Sequence, residues 1–488
     1  MLVPYRKLTR KADFVERLFF LWEKQNIFKS ISMAAQVNRP LNDDVVFGAL
    51  RRLLLKYPFL HSSLLGAGYN VQFNPLQRID FRDVYEVNTE VTERFQDSDK
   101  SASVLTSVLA HHNHKAGKPL WKLIYYKNIN WFSFHCSHTI SDGSSVVVYL
   151  KEFVENLNHA ANLKAGDVLF SLENDIQLIE KDLPPPILEM ANYKPGLISK
   201  CKAKAFKMAL DFWPNFINKV DERRLNRSFV GCLPEPFSPD RFFQSDYIID
   251  DKSPLNFSSP GFTNIDPKNL KIILNACRKH QVKLQTYLIM VYVHTMLKLY
   301  PELYAHKFLN TAVAISFRNV FGGFESHNTY LGDKGLFEDG FYVNLPAFCL
   351  PPGSYFSWDA CRKYHDALHK TVNSKSLVEG YYMACEGMTA ENYMSNKFGL
   401  QKDTLFLGNT NLGRVNILDH SGTDKYHIED ILFVPMAGAF MGTHEMTAIS
   451  TAKKGLNIGF IKVDPNVKDW NKFKKAFSHN LIALLATD

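Results

Sequence analysis

The stretch Trp131–Leu150, WFSFHCSHTISDGSSVVVYL, most constrains how this chain can fold. Its first residues are apolar and aromatic, which predicts a buried strand. A tight turn follows over residues 138–143, and Gly143 is expected to supply a positive φ there. Ser144 and Ser145 are candidate N-caps of a helix. That helix presents an apolar face at the expected spacing, made by Val147, Leu150, Phe153, Val154 and Leu157.

His138 and Asp142 lie four residues apart across this bend. A histidine at the end of a rigid strand is suited to take a proton from a hydroxyl or an amine, because its ordinary pKa lies near working pH. Asp142 and Gly143 would fix the bend and therefore the orientation of the imidazole. No Ser or Cys nucleophile is required when the acyl donor is already activated, as a thioester is. The motif alone leaves open the alternative of a core histidine beside a turn aspartate.

The sequence HTISDG resembles the His-x-x-x-Asp-Gly motif of coenzyme A-dependent acyltransferases with the chloramphenicol acetyltransferase fold, which include plant acyltransferases and peptide synthetase condensation domains. It most resembles the fungal alcohol acetyltransferase family, which also holds N-acetyltransferases of sphingoid-like amines. A helix over residues 45–57, followed by Tyr-Pro-Phe-Leu and a strand, is similar to the same superfamily. The plant D-F-G-W-G motif has no counterpart at residues 428–432, Ile-Glu-Asp-Ile-Leu, which excludes the plant branch.

This resemblance implies an α/β (α+β) fold of two chloramphenicol acetyltransferase-like subdomains, each a mixed sheet with helices. An active-site tunnel is expected at their interface. The N-terminal half would span residues 1–190, a crossover linker 191–250, and the C-terminal half 251–488. The resemblance makes His138 the general base and Asp142 a structural residue. Asp142 would pair with an arginine of the second half, and the matching position is Arg318.

Asn409, Asn411 and Gly413 lie in FLGNTNLGRV, a predicted strand whose counterpart in the family lines the reaction chamber. One asparagine amide could hold the oxyanion of a tetrahedral intermediate, since fixed donors stabilise such charge. A capping or sheet-edge role is equally compatible with these residues. They are therefore candidate substrate-binding residues.

The predicted activity is transfer of an acetyl group from acetyl-CoA, as co-substrate and without a metal, to the hydroxyl of a small lipophilic alcohol. The alternative acceptor is a lipophilic amine such as a sphingoid-like amino alcohol, and the two acceptors correspond to ester biosynthesis and detoxification. A non-catalytic lipid- or partner-binding homologue is a weaker alternative. A serine hydrolase is not favoured, since the chain has no G-x-S-x-G elbow. We expect a monomer.

Composition limits the partners and the compartment. A length of 488 residues favours two domains, and the net charge of +8 suits an anionic cofactor or membrane surface but is too diffuse for nucleic acid. Seven scattered cysteines without C-x-x-C argue against a disulfide scaffold or a zinc site and favour a reducing compartment. With no signal peptide and no run of about 18 apolar residues, we expect the cytosol or the cytosolic face of the endoplasmic reticulum or lipid droplets.

Residues 11–26 predict an amphipathic helix. Phe14, Val15, Leu18, Phe19 and Trp22 lie on one face, and Asp13, Glu16, Arg17 and Glu23 lie on the other. We expect this helix to pack on its own domain rather than on a membrane, although peripheral membrane association stays open. Residues 190–250 show little regular period and are interpreted as the crossover between the halves.

Overall fold

A computed structural model gives the structure of the protein. The described residues are 7–24, 30–111, 117–160, 164–190, 193–212, 260–304, 308–316, 340–348, 356–372, 376–388, 404–417, 422, 424–435, 444–462 and 467–487. Arg318 lies outside these ranges.

Strands and helices alternate along the described residues. The strands are β1 (Arg10–Lys11), β2 (Ile31–Val37), β3 (Ser62–Leu65), β4 (Gln72–Pro75), β5 (Arg78–Asp80), β6 (Tyr85–Asn88), β7 (Trp121–Tyr126), β8 (Trp131–Cys136), β9 (Val168–Ser171), β10 (Gly261–Ile265), β11 (Phe308–Ser316), β12 (Gly340–Phe348), β13 (Thr404–Arg414), β14 (Ile428–Val434), β15 (His444–Thr451) and β16 (Gly455–Lys462). The helices are α1 (Phe14–Lys24), α2 (Asp43–Lys56), α3 (Phe81–Val84), α4 (Asp99–His111), α5 (Gly143–Leu157), α6 (Leu172–Asp175), α7 (Ile187–Met190), α8 (Leu197–Phe212), α9 (Pro267–Lys279), α10 (Leu284–Leu299), α11 (Pro301–Tyr304), α12 (Trp358–Val372), α13 (Ser376–Gly387) and α14 (Trp470–Ala483).

The first sheet has the strand order β14-β2-β8-β7-β6 and is mixed. Strand β8 lies at its centre, and all six of its residues are buried. It pairs antiparallel with β7. Phe132 and Phe134 face the core that includes α2 and α5, while Trp131 faces the side covered by α1. Burial on both faces explains why this segment reads as a nearly continuous apolar run.

The second sheet has the order β10-β16-β15-β13-β11-β12. Its three central strands β15, β13 and β11 are parallel, and antiparallel strands extend it on both sides. Helices α10 and α14 pack on one face around Tyr292, Phe460 and Phe473. Each half is thus a mixed sheet with helices, as predicted.

Strand β14 joins the two sheets. It comes from the second half of the sequence but pairs antiparallel with β2, with Val434 opposite Ser32. The Thr447 hydroxyl of β15 donates to the carbonyl oxygen of Phe433 at 2.6 Å, and the Asn457 amide of β16 donates to the carbonyl oxygen of Ile431 at 2.8 Å. The first sheet therefore contains a strand that is also hydrogen-bonded to the second. The predicted boundaries of the halves stay a prediction.

Helices α1, α13 and α8 form a third layer. The predicted apolar face of α1 is buried at Phe14, Val15, Leu18 and Phe19, so this helix packs on the protein, although its partners are not confined to the predicted N-terminal half. Its buried residues form one cluster with Tyr381 and other residues of α13 and with Leu210 of α8. The described residues do not include the side chain of Trp22.

The charged face of α1 is held inside the protein rather than in solvent. The Arg10 guanidinium donates to both carboxylate oxygens of Glu16, at 2.8 and 2.6 Å. Asp13 and Glu16 each accept the other's backbone N–H, at 3.0 and 2.7 Å, which is a capping box. The Tyr381 hydroxyl of α13 donates to Asp13 at 2.9 Å. These partners fix where α1 starts and how it meets α13.

Candidate active site

His138 lies two residues beyond the end of β8, in the turn that leads into α5, and its residue surface is only 7% exposed. The predicted sequence of strand, turn and helix is confirmed. The N-cap of α5 is Asp142, whose carboxylate accepts the Ser145 backbone N–H at 2.7 Å. The prediction of Ser144 or Ser145 as N-cap was wrong by two or three positions. Asp142 takes this role because its carboxylate reaches the free N–H groups of the first turn.

Helix α1 holds His138 from the opposite side. The carboxylate of Glu23 accepts the backbone N–H of His138 at 2.8 Å and the hydroxyl of Ser137 at 2.7 Å. The ring of Phe19 stacks on the imidazole, with centroids 4.0 Å apart and an angle of 12° between the planes. One helix thus fixes both the backbone and the ring plane of His138. The sequence analysis missed Glu23 and Phe19 as site residues because more than 110 positions separate them from the motif, and no local pattern links them.

Burial lowers the pKa of His138 to about 4. Desolvation is the main cause, because a buried imidazolium loses its hydration. Hydrogen bonding to backbone groups and the negative charge of Asp142 act in the other direction. The imidazole is therefore neutral at pH 7, which is the form that accepts a proton.

Gly143 brings the motif against the second half. A Cβ at this position would lie 2.9 Å from Leu412 Cδ2 in β13 and 3.5 Å from Phe433 Cζ in β14. The prediction that Gly143 adopts a positive φ was wrong, since it is the first residue of α5 and is not among the positive-φ glycines of the described residues. The glycine is required by close approach rather than by backbone conformation.

His135 is a core residue. It is fully buried in β8, and its Nε2 lies 2.7 Å from the Ser133 hydroxyl. That hydroxyl lies 3.1 Å from the hydroxyl of Tyr126. His135 thus lies in β8 within the first half, whereas His138 lies in the turn beyond the strand, against α1.

The candidate substrate-binding residues lie in β13. Asn409 is 1% exposed and its side-chain oxygen accepts from the Gln285 amide of α10. The Asn411 side-chain oxygen accepts the Gly413 backbone N–H at 2.8 Å, and Gly413 has φ 70°. These contacts tie the three residues to their own strand and to the second half. Their role in substrate binding stays a prediction, as does the pairing of Asp142 with Arg318.

The described part of the chain contains neither a cluster of metal ligands nor a membrane-spanning helix. No three His, Cys, Asp or Glu side chains come together there as a metal site. Among the helices of that part, none combines the length and the apolar composition needed to cross a bilayer. The five cysteines it includes, Cys136, Cys201, Cys277, Cys361 and Cys385, are free.

The chain is similar to two yeast proteins, and to one of them over nearly its full length. Alcohol O-acetyltransferase 2 of Saccharomyces cerevisiae is 19% identical over 525 residues, which cover 96% of this chain and 94% of that protein. Alcohol O-acetyltransferase 1 of the same yeast is 24% identical over 223 residues, which cover 38% of this chain and 42% of that protein.

Solved structures confirm the predicted fold. The trichothecene 15-O-acetyltransferase of Fusarium sporotrichioides superposes with a TM-score of 0.64 at 10% identity, over 97% of this chain and 94% of that one. The condensation domain of the monacolin K polyketide synthase superposes with a TM-score of 0.56 at 10% identity, over 98% of both chains. The fold is therefore that of the two-subdomain, chloramphenicol acetyltransferase-like proteins.

The sequence profile of the family described as alcohol acetyltransferase matches residues 11–487, which is almost the whole chain. This match confirms the resemblance inferred from HTISDG. The protein is an acyltransferase, and the chain belongs to the alcohol acetyltransferase family.

Proposed function

We propose that the protein is an acetyl-CoA-dependent alcohol O-acetyltransferase in which His138 is the general base. The observation that carries this proposal is the buried imidazole of His138, which Phe19 and Glu23 of α1 fix in the turn before Gly143, where the motif approaches the second half. Burial lowers the pKa of His138, which favours the neutral ring that a general base requires. Family membership supports acyl transfer, and the names of the yeast relatives support an alcohol acceptor and an acetyl donor.

The reaction needs one proton carrier. His138 accepts the proton of the acceptor hydroxyl as its oxygen attacks the thioester carbonyl carbon. The tetrahedral intermediate collapses with cleavage of the C–S bond, and the imidazolium returns the proton to the departing thiolate. Holding both substrates beside one fixed ring supplies much of the remaining rate acceleration. A tunnel between the halves, open to the donor on one side and the acceptor on the other, is part of this proposal.

Asp142 supports the step indirectly. Its negative charge raises the pKa of His138 and so stabilises the imidazolium that forms during the reaction. Its capping bond to Ser145 keeps the turn and α5 in register. Pairing of Asp142 with Arg318, and oxyanion binding by Asn409 or Asn411, complete the proposed site. Scattered free cysteines favour an intracellular location, in the cytosol or on the cytosolic face of the endoplasmic reticulum or lipid droplets.

The test is turnover of the variant His138→Ala with acetyl-CoA. Loss of a general base lowers kcat by about 10²–10⁴-fold, measured as thiol release together with ester detected by chromatography. The matched control is His159→Ala, because this histidine is exposed and contacts only its helix neighbour Glu155 among the hydrogen bonds described. Wild-type turnover by His138→Ala would refute the mechanism.

Two further measurements define the reaction. The free enzyme's kcat/KM should rise with pH through about 4 rather than 6.5, because the pKa of His138 is lowered to about 4. An acceptor screen should run alcohols of rising chain length beside sphingoid-type amines. Preference for the amines would replace the O-acetyltransferase assignment with an N-acetyltransferase one.

A further inference from the structure

Helix α8 is attached to the protein by one narrow face. Ser199, Ala203 and Leu210 are buried on that face, and Phe206 packs into the cluster shared with α1 and α13. At the end of α13 the approach is close, since a Cβ on Gly387 would lie 3.1 Å from the ring of Phe206. Small residues at the contact let the helix lie close against its neighbour, so its position is fixed.

The opposite face of α8 presents large apolar side chains to solvent. The exposed fractions are 79% for Leu197, 72% for Ile198, 61% for Met208 and 83% for Phe212. On a helical projection these four residues fall within a sector about 100° wide. The exposed Cys201 and Ala205 lie in the same sector. We call this set the α8 stripe. It extends over the full helix, a length of about 24 Å.

Lysines border the α8 stripe on both sides. Lys200, Lys204 and Lys207 follow one edge, and Lys202 lies on the other, where it is 3.4 Å from Glu379 of α13. All four are exposed, and Asp211 is the one acidic residue of the helix. The whole chain carries a net charge of +8. Because Lys202 is paired with Glu379, the excess positive charge lies along the other edge of the stripe, where Asp211 offsets one of the three lysine charges.

We propose that α8 docks the protein on an anionic lipid bilayer. The helix lies in the plane of the interface, with the α8 stripe in the boundary between headgroups and acyl chains and the lysines at the phosphate and carboxylate level. A protein partner fits the surface less well, because lysine is depleted at protein–protein interfaces. No helix of the described residues is suited to spanning, which agrees with a helix lying on the surface. This inference does not depend on the proposed acceptor or on His138.

The experiment is co-sedimentation of the full-length protein with vesicles. The protein should bind phosphatidylcholine vesicles that contain phosphatidylserine, bind pure phosphatidylcholine less, and release with added salt. The double variant Leu197→Ser, Phe212→Ser should lose about tenfold or more in partitioning for each side chain. The double variant Lys200→Glu, Lys204→Glu should lose the preference for phosphatidylserine.

Helix α9 provides the matched control, since Ile272 is 48% exposed and Lys271 is exposed on the same helix. The double variant Ile272→Ser, Lys271→Glu should bind vesicles like wild type. All variants should keep the wild-type unfolding temperature, because each altered side chain is exposed. The proposal is overturned if wild-type protein fails to sediment with phosphatidylserine vesicles or if the α8 variants bind as well as wild type. It is equally overturned if the stripe variants change the oligomeric state in gel filtration, which would identify a second copy as the occupant.

Discussion

Helices α1 and α8 are both amphipathic and both pack on α13, yet they present opposite faces to the protein. The large apolar side chains of α1, such as Phe14 and Phe19, are buried, and its charges are paired inside. Those of α8 are divided, since Leu197 and Phe212 are exposed whereas the inner face combines small residues with the buried Leu210. An apolar stripe therefore does not by itself define the inner face of a helix. A second face that combines small residues with one or two apolar anchors can take that role.

The largest expected difference between the two helices is in stability. Leu18→Ala should lower the free energy of unfolding by about 2–5 kcal/mol, because Leu18 is buried in the cluster and leaves a cavity. Leu197→Ala should change it by less than about 0.5 kcal/mol, because that side chain is 79% exposed. Urea unfolding at one pH measures both. Equal losses in the free energy of unfolding for the two variants would contradict the distinction between a buried and an exposed stripe.

A second difference is expected in catalysis. Glu23→Ala should lower kcat by about 10²-fold with little change in KM, because the turn loses the acceptor that fixes His138 and small misplacements of a base are costly. Glu23→Gln keeps one acceptor oxygen and should recover part of the loss. Asp211→Ala, which removes an exposed carboxylate from α8, is the control and should leave kcat unchanged. A purely structural role for Glu23 would show as lost stability without the split between kcat and KM.

The smallest effect concerns the buried charge of α1. Burial raises the pKa of Asp13 to about 6, with the charge of Glu16 adding to it. The folded state therefore holds this proton up to a higher pH than the unfolded state, so Asp13 contributes stability at low pH that is lost as the pH rises through about 6. Asp13→Asn keeps one acceptor oxygen for the Glu16 backbone N–H, and its amide NH2 can donate to the Tyr381 hydroxyl. Without a titrating group, this variant should gain on the order of 1 kcal/mol at pH 8 relative to pH 4. A gain that is the same at both pH values would contradict the raised pKa.

The sequence predicted the features that depend on neighbouring residues. The buried strand β8, the turn at His138 and helix α5 follow from local period and turn chemistry. Helix α8 was missed because its apolar residues lie on two faces, which blurs a single helical period.

The part of the site that lies within one short stretch of sequence was predicted. His138 and Asp142 are recognisable in six residues, and the resemblance supplied their roles. The contacts of Glu23, Phe19 and Leu412 with the motif join positions far apart in the chain. Neither composition nor hydrophobic periodicity can therefore predict them. Gly143 is an example. The sequence predicted that it adopts a turn conformation, whereas the structure shows that it lies close to the second half of the protein.

Strand β14 has a consequence for biosynthesis. Strand β2 of the first sheet pairs on its outer side with β14. That partner is made only when residues 428–434 have been translated. At ordinary elongation rates this leaves the β2 edge without that partner for about 20–80 s on the ribosome. An open edge of this kind invites pairing with other nascent chains. An excised N-terminal fragment would keep that edge permanently, so aggregation of such a fragment would reflect its missing strand rather than a weak core.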